Sequence, residues 1–232
     1  MPSHEEIYQQ HGPLYDALVS REDHSGNLGQ ALRLITPMTE LEVAELGAGT
    51  GRLTMMIAAE ARWVHAFDAS AHMLEIAADK LTQAGFTNWQ TAVADHHRLP
   101  LSDRAVDAAV SGWSICYAVR SGTRGWEERL AIVVDEMQRI TRPGGTLIII
   151  ETLGTGFEAP QPPPELLPYL TALQQEHAFS SMWIRTDYLF HSLKEAIELT
   201  GFFFGEELAA QVAAMKRTVL PECTAVYWRR VK

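Results

Sequence analysis

The sequence predicts an α/β domain built on a doubly wound, mostly parallel sheet, and three observations carry that prediction. Short apolar runs near residues 41–46, 63–67, 89–94, 106–111 and 146–151 are separated by helix-length stretches, the repeat that gives parallel strands with helices on both faces. The first run ends in Gly47-Ala48-Gly49-Thr50-Gly51, where three alternate glycines allow a sharp turn and a close approach to the backbone. The second run ends in Asp68, 21 positions after Gly47, the spacing expected for turn, helix and strand, so a carboxylate stands beside the turn.

Ahead of the first strand, residues 3–36 read as helical, and residues 1–38 form an N-terminal helical cap on a single domain spanning 1–232. Tyr8 and Tyr15 are seven apart and could share a helix face, with Gly12-Pro13 interrupting them. The first turn follows the pattern E-x-G-x-G-x-G from Glu45. It is not the dinucleotide fingerprint, because Arg52 occupies the place of the third glycine. A nucleoside site fits it better than a pyrophosphate site.

At these residues the chain resembles the class I S-adenosylmethionine-dependent methyltransferases of small-molecule type. The resemblance implies a Rossmann-like, seven-stranded, mostly parallel sheet with an antiparallel final strand, and S-adenosylmethionine as cofactor. It assigns Glu45, Gly47, Ala48, Gly49 and Gly51 to the cofactor site. It makes Asp68 the acceptor for both ribose hydroxyls, a role suited to a carboxylate with several lone-pair sites. Ala69, Ser70 and Met73, in the segment that follows, lie near the ligand in the same comparison. Tyr15 is the tyrosine placed to close over the donor.

The third run leads into Asp95-His96-His97, which resembles the family segment where a carboxylate receives the adenine amino group and the next backbone N–H meets the ring. Asp95 and His96 take those roles here. Adjacent histidines point in different directions and no Asp, Cys or Glu set at ligand spacing accompanies them, so no metal site is expected. The fourth run exits through Ser111-Gly112-Trp113, where the family borders the donor's methionine moiety and the acceptor; Gly112 and Trp113 are assigned to the cofactor site. The chain has neither the Pro-Pro-aromatic loop of enzymes that methylate nucleic-acid amino groups nor a Pro-Cys nucleophile. Cys116 reads as a small buried hydrophobe. Pro143-Gly144-Gly145 precedes the continuous apolar run of the fifth strand, as expected for a fully buried parallel strand.

Beyond residue 152, Gly154-Thr155-Gly156 and Pro162-Pro163-Pro164 mark a long loop, followed by a helix over 165–178. Residues 153–191 are expected to form a substrate lid rich in aromatic side chains. Arg185 and His177 are its candidate polar contacts. Ser192 with Glu195 makes a capping box and Gly201 is placed to end that helix. Phe202-Phe203-Phe204 and Thr224-Ala225-Val226-Tyr227-Trp228 read as the last two strands. If the acceptor must lose a proton, His177 or His191 would be the catalytic base, since imidazole titrates near the working pH.

Composition sets the remaining expectations. A chain of 232 residues that is 47% hydrophobic can bury a full core, and 29 acidic against 19 basic residues give a formal charge of −10. That charge disfavours a nucleic-acid partner and favours a small-molecule acceptor. With no leader, no apolar membrane span and two cysteines outside any spacing motif, the chain reads as cytoplasmic, without a membrane partner, as monomer or homodimer. A macromolecular methyltransferase and a non-catalytic S-adenosylmethionine-binding assembly partner remain alternatives.

Overall fold

The structure is a computed structural model that describes residues 6, 7 and 10–232; Tyr8 lies outside the described residues. Its centre is a seven-stranded sheet in the order β3-β2-β1-β4-β5-β9-β6. Strands β1 (Glu42–Leu46), β2 (Trp63–Asp68), β3 (Trp89–Val93), β4 (Val106–Gly112) and β5 (Thr141–Thr155) run parallel. The final strand, β9 (Glu222–Arg230), runs antiparallel between β5 and β6 (Ser180–Arg185). The five expected parallel strands and the reversed last strand are therefore present.

Alternation of side chains along a strand divides the core between the two faces. Leu147 and Ile149 pack on one face with Leu130, Val133 and Met137 of helix α6 (Trp126–Ile140) and with Tyr169 and Leu173 of α7 (Leu167–Gln175). Ile148 and Ile150 pack on the other with Leu28 and Leu32 of α2 (Asn27–Ile35) and Leu53 and Ile57 of α3 (Arg52–Ala58). Helix α4 (Ala71–Gln83) joins β2 to β3, and the short α5 (Ile115–Val119) follows β4. Pro143-Gly144-Gly145 does not precede β5 but lies inside it: pairing with β4 runs Val106 to Thr141 and resumes at Ala108 with Thr146, a bulge at which Gly144 has φ +82°.

A separate apolar cluster forms a cap on the remaining elements. Leu18 of α1 (Gly12–Val19) meets Tyr188 of β7 (Tyr188–Leu189), Leu199 of α8 (Leu193–Phe203), Val212 of α9 (Glu206–Met215) and Leu220 of β8 (Val219–Leu220). Strands β7 and β8 pair with each other as a separate two-stranded sheet. The capping box at Ser192 forms, its Oγ accepting from the N–H of Glu195 at 3.1 Å.

Two expectations change here. Phe202-Phe203-Phe204 is no strand: it ends α8, where the three rings turn to different partners, Phe202 to His11 at 5.8 Å, Phe203 to Tyr15 at 5.7 Å and Phe204 to Tyr188 at 6.1 Å. Gly201 does not stop the helix but lies within it, where a Cβ would come 3.4 Å from Ala209 of α9. The sixth strand instead falls within the expected lid interval 153–191, whose residues Ser180–Arg185 complete the sheet.

Candidate active site

The site is built at the carboxyl ends of β1, β2 and β4, where the parallel strands release their loops. The β1 turn is pinned from below: the N–H groups of Gly47 and Ala48 donate to the carbonyl of Phe67 at 2.8 and 2.9 Å. Gly47 has φ +77° and a Cβ there would lie 1.9 Å from Ser114 Oγ, so any side chain would strain the backbone and displace Ser114. Asp68 ties the two strand ends together. Its Oδ2 accepts from the N–H of Gly49 and its Oδ1 from the N–H of Ser70, both at 2.8 Å. Each oxygen keeps a lone pair for a further donor.

The helix after Asp68 is capped by Ser70, whose Oγ accepts from the N–H of Met73 at 3.3 Å. Ala69 is exposed and Met73 fully buried. Asp95 is exposed and accepts from the N–H of His97 at 2.8 Å and bonds the His97 ring; burial raises its carboxyl, but these bonds and the charges of His97 and His96 together hold it below the ordinary range. His96 is turned inward, its Nε2 2.8 Å from Ser114 Oγ beside Gly47. Burial lowers the pKa of its imidazole, although Asp68 and Asp95 act in the opposite direction.

Glu45 lies beneath the turn, 1% exposed, its Oε2 accepting from Thr54 Oγ1 at 2.6 Å. Burial pushes its carboxyl up to about 7. Tyr15 comes over the turn from α1, its Cε1 3.9 Å from where a Cβ on Gly49 would stand. Beyond Gly112, Trp113 adopts φ +49° and donates its N–H to the carbonyl of Ile150 at 2.8 Å. The Arg52 guanidinium lies over its ring, 4.1 Å from the centroid.

The two histidines expected as bases are not brought to the turn. The carbonyl of His177 accepts from Arg229, which pairs with Leu147 near the opposite end of β5. Burial and the Arg229 charge lower the pKa of the His177 ring. His191 is exposed at the start of α8, its N–H donating to Glu195 Oε2 at 2.6 Å. Arg185, the other candidate lid contact, is engaged by Asp187 at 2.8 Å. The imidazole at the turn is that of His96.

A network absent from the sequence reading joins the cap to the turn. Glu22, in the loop between α1 and α2, pairs with Arg52 and accepts from Thr186 Oγ1 at 3.1 Å and from the Tyr188 hydroxyl at 3.2 Å. Thr186 Oγ1 lies 2.5 Å from Thr224 Oγ1. Only the interruption of an apolar stretch by Glu222 and the charge of Arg52 directly after the glycines signalled it. Among the described residues no group of three His, Cys, Asp or Glu side chains is arranged to hold a metal ion, and no helix is long and apolar enough to cross a membrane.

The strand order, the reversed β9 and a β2 carboxylate bonded to a glycine turn after β1 define a class I S-adenosylmethionine-dependent methyltransferase fold. Residues 44–149 match a family described as Methyltransferase domain. The chain is 28% identical over 120 residues to the ubiquinone/menaquinone biosynthesis C-methyltransferase of Rubrivivax gelatinosus, covering 52% of this chain and 43% of that protein. It is 32% identical over 142 residues to the malonyl-[acyl-carrier protein] O-methyltransferase of Pectobacterium atrosepticum, covering 61% of this chain and 49% of the relative. The chain thus spans about half the length of these relatives. An S-adenosylmethionine-dependent methyltransferase from Aquifex aeolicus has the same fold, with a TM-score of 0.55 at 16% identity over 86% of this chain and 88% of that one.

Proposed function

We propose that the protein transfers a methyl group from S-adenosylmethionine to a small-molecule acceptor and releases S-adenosylhomocysteine, acting in the cytoplasm as a monomer or homodimer. The observation that carries this reading is Asp68, whose two oxygens are fixed by Gly49 and Ser70 at 2.8 Å beside a turn that any side chain at Gly47 would strain. The residues fit the cofactor in a second respect: Thr50 Oγ1, buried in the same turn, has no partner among the described residues.

In this reading Asp68 accepts the ribose hydroxyls, Asp95 and the backbone at His96 meet the adenine, and the glycines let the ligand approach the main chain. The residues assigned around them, Glu45, Ala48, Ala69, Ser70 and Met73, shape and support that surface. When bound, S-adenosylmethionine supplies a methyl group on a cationic sulfur that is already a good leaving group. The chain's part is then to orient the acceptor and exclude water. Tyr15, Gly112 and Trp113 border the place where the two substrates meet.

The cover consists of α1, the 20–26 loop, α8 and α9, with the end of the 153–191 interval from Thr186 onward. The relatives' names include a C-methyltransferase of quinone biosynthesis and an O-methyltransferase, and the charge of −10 opposes a polyanionic acceptor. The test is transfer of labelled methyl from S-adenosylmethionine into a cell extract separated into small-molecule and macromolecular fractions. Label in the first fraction supports the proposal; label confined to the second, or in neither, contradicts it.

A further inference from the structure

We propose that Glu222 binds the acceptor's nucleophilic O–H or N–H group and takes its proton, so that the protein methylates oxygen or nitrogen and not carbon or sulfur. This inference rests on the methyl-transfer reading above. Glu222 opens β9 and is 1% exposed. Its Oε1 accepts from Thr152 Oγ1 at 2.6 Å and the Thr155 hydroxyl also favours the charged carboxylate, while its Oε2 is buried with no hydrogen-bond partner among the described residues. A buried carboxylate oxygen left unpaired carries a desolvation penalty that a ligand donor would relieve.

Its place in the fold links it to the methyl-transfer end of the sheet. Glu222 pairs in register with Thr155, beyond the carboxyl end of the β5 run whose Ile150 is bonded by Trp113. Glu22 and Arg52 act on it electrostatically, and Arg52 is the residue that stacks on Trp113. Glu22 is matched by Arg52, whereas Glu222 has no ion-pair partner among the described residues. A group that donates a hydrogen bond therefore suits the position, and an anionic nucleophile does not. Glu151 also has an unpartnered buried oxygen, but its other oxygen is held by Tyr169 and Cys116 on the opposite face of the sheet.

The step balances simply. The acceptor oxygen or nitrogen forms a bond to the donor's methyl carbon as the methyl–sulfur bond breaks, the electron pair stays on sulfur, and the acceptor's proton passes to Glu222 Oε2. Burial, reinforced by Glu22, pushes the Glu222 carboxyl up to about 8, within reach of the pKa range of a working base. The titratable and charged groups around it are Glu22, Arg52, Tyr188, Asp187, Arg185 and Cys223. Of these, Tyr188 and Cys223 are raised further by burial and stay protonated through that range.

The test compares wild type with Glu222→Gln and Glu222→Asp, using labelled S-adenosylmethionine and the small-molecule extract fraction from pH 6 to 9.5, with S-adenosylhomocysteine affinity measured separately. The expected wild-type rate rises through about pH 8, and the product carries methyl on oxygen or nitrogen. Glu222→Gln should fall at least about 100-fold and lose the rise, with affinity for S-adenosylhomocysteine unchanged within about threefold. Should the Gln variant not fold, Glu222→Asp decides: a reduced rate that keeps the rise supports the role, and a wild-type rate overturns it. Equal rates and profiles in wild type and Glu222→Gln, or a product methylated on carbon or sulfur, overturn the assignment while leaving methyl transfer intact. A wild-type protein that binds S-adenosylhomocysteine yet labels no small molecule overturns both.

Discussion

Arg52 holds its guanidinium 4.1 Å from the ring centroid of Trp113 while its Nη1 pairs with Glu22. One side chain, the first after the glycine turn, thereby fastens the β4 exit loop to the cap. Glu22 keeps only 4% of its side-chain surface exposed, so its charge depends on that partner.

Replacing Arg52 with Ala should therefore destabilise the protein by about 3 to 5 kcal/mol, because it strands a buried carboxylate. Adding Glu22→Gln to the same chain should recover much of the loss. Denaturant unfolding of both single variants and the double variant checks this; purely additive effects would contradict the coupling.

Gly47→Ala should lower stability by more than about 1 kcal/mol, since alanine disfavours a positive φ, and the added carbon meets Ser114 Oγ at 1.9 Å. Ser114→Gly in the same chain should relieve the collision but not the backbone strain. Thermal melting of the two variants separates these contributions.

Stability should fall as pH rises from about 4.5 to 8, the interval between the unfolded and folded carboxyl values. Burial holds Glu45 and Glu151 up at about 7 and Glu222, with Glu22 beside it, at about 8, above the ordinary carboxyl range. The folded protein thus binds protons that the unfolded chain has already released. Their stabilisation is complete below the unfolded value near 4.5 and is lost as pH climbs through about 7 to 8. His96, lowered by burial, acts in the opposite sense only below about 6.5. Melting temperatures across this range, with Glu151→Gln showing a shallower fall, test the sign.

Tyr15→Ala should weaken S-adenosylhomocysteine by about 1 to 2 kcal/mol through lost aromatic cover above Gly49. The same change also removes the 5.7 Å contact with Phe203, so melting without ligand must be measured beside affinity. An unchanged affinity would remove Tyr15 from the site.

Much of this architecture is legible in the sequence because it rests on local rules. The glycine turn, the Asp68 spacing and the five apolar runs each declare a backbone geometry within a few residues. Phe202-Phe203-Phe204 misleads because three aromatic residues in a row satisfy a strand's composition, while their actual partners, His11, Tyr15 and Tyr188, are distant in sequence. Glu22 and Glu222 are 200 positions apart and come within electrostatic reach through Thr186, which donates its hydroxyl to Glu22 and its N–H to the carbonyl of Glu222 on the reversed β9. His177 and His191 had suitable chemistry but no spacing to fix their direction, whereas His96, three residues past the end of β3 with Asp95 before it, was placed by the strand.

The most direct measurement is a calorimetric titration of S-adenosylhomocysteine into wild type and Asp68→Ala, with reduced nicotinamide cofactor as competitor. Wild type should bind the nucleoside, and the folded variant should bind about 1 to 3 kcal/mol more weakly through loss of charge-assisted bonds. Equal affinity in a folded Asp68→Ala protein, or displacement of the nucleoside by the nicotinamide cofactor, would contradict the site.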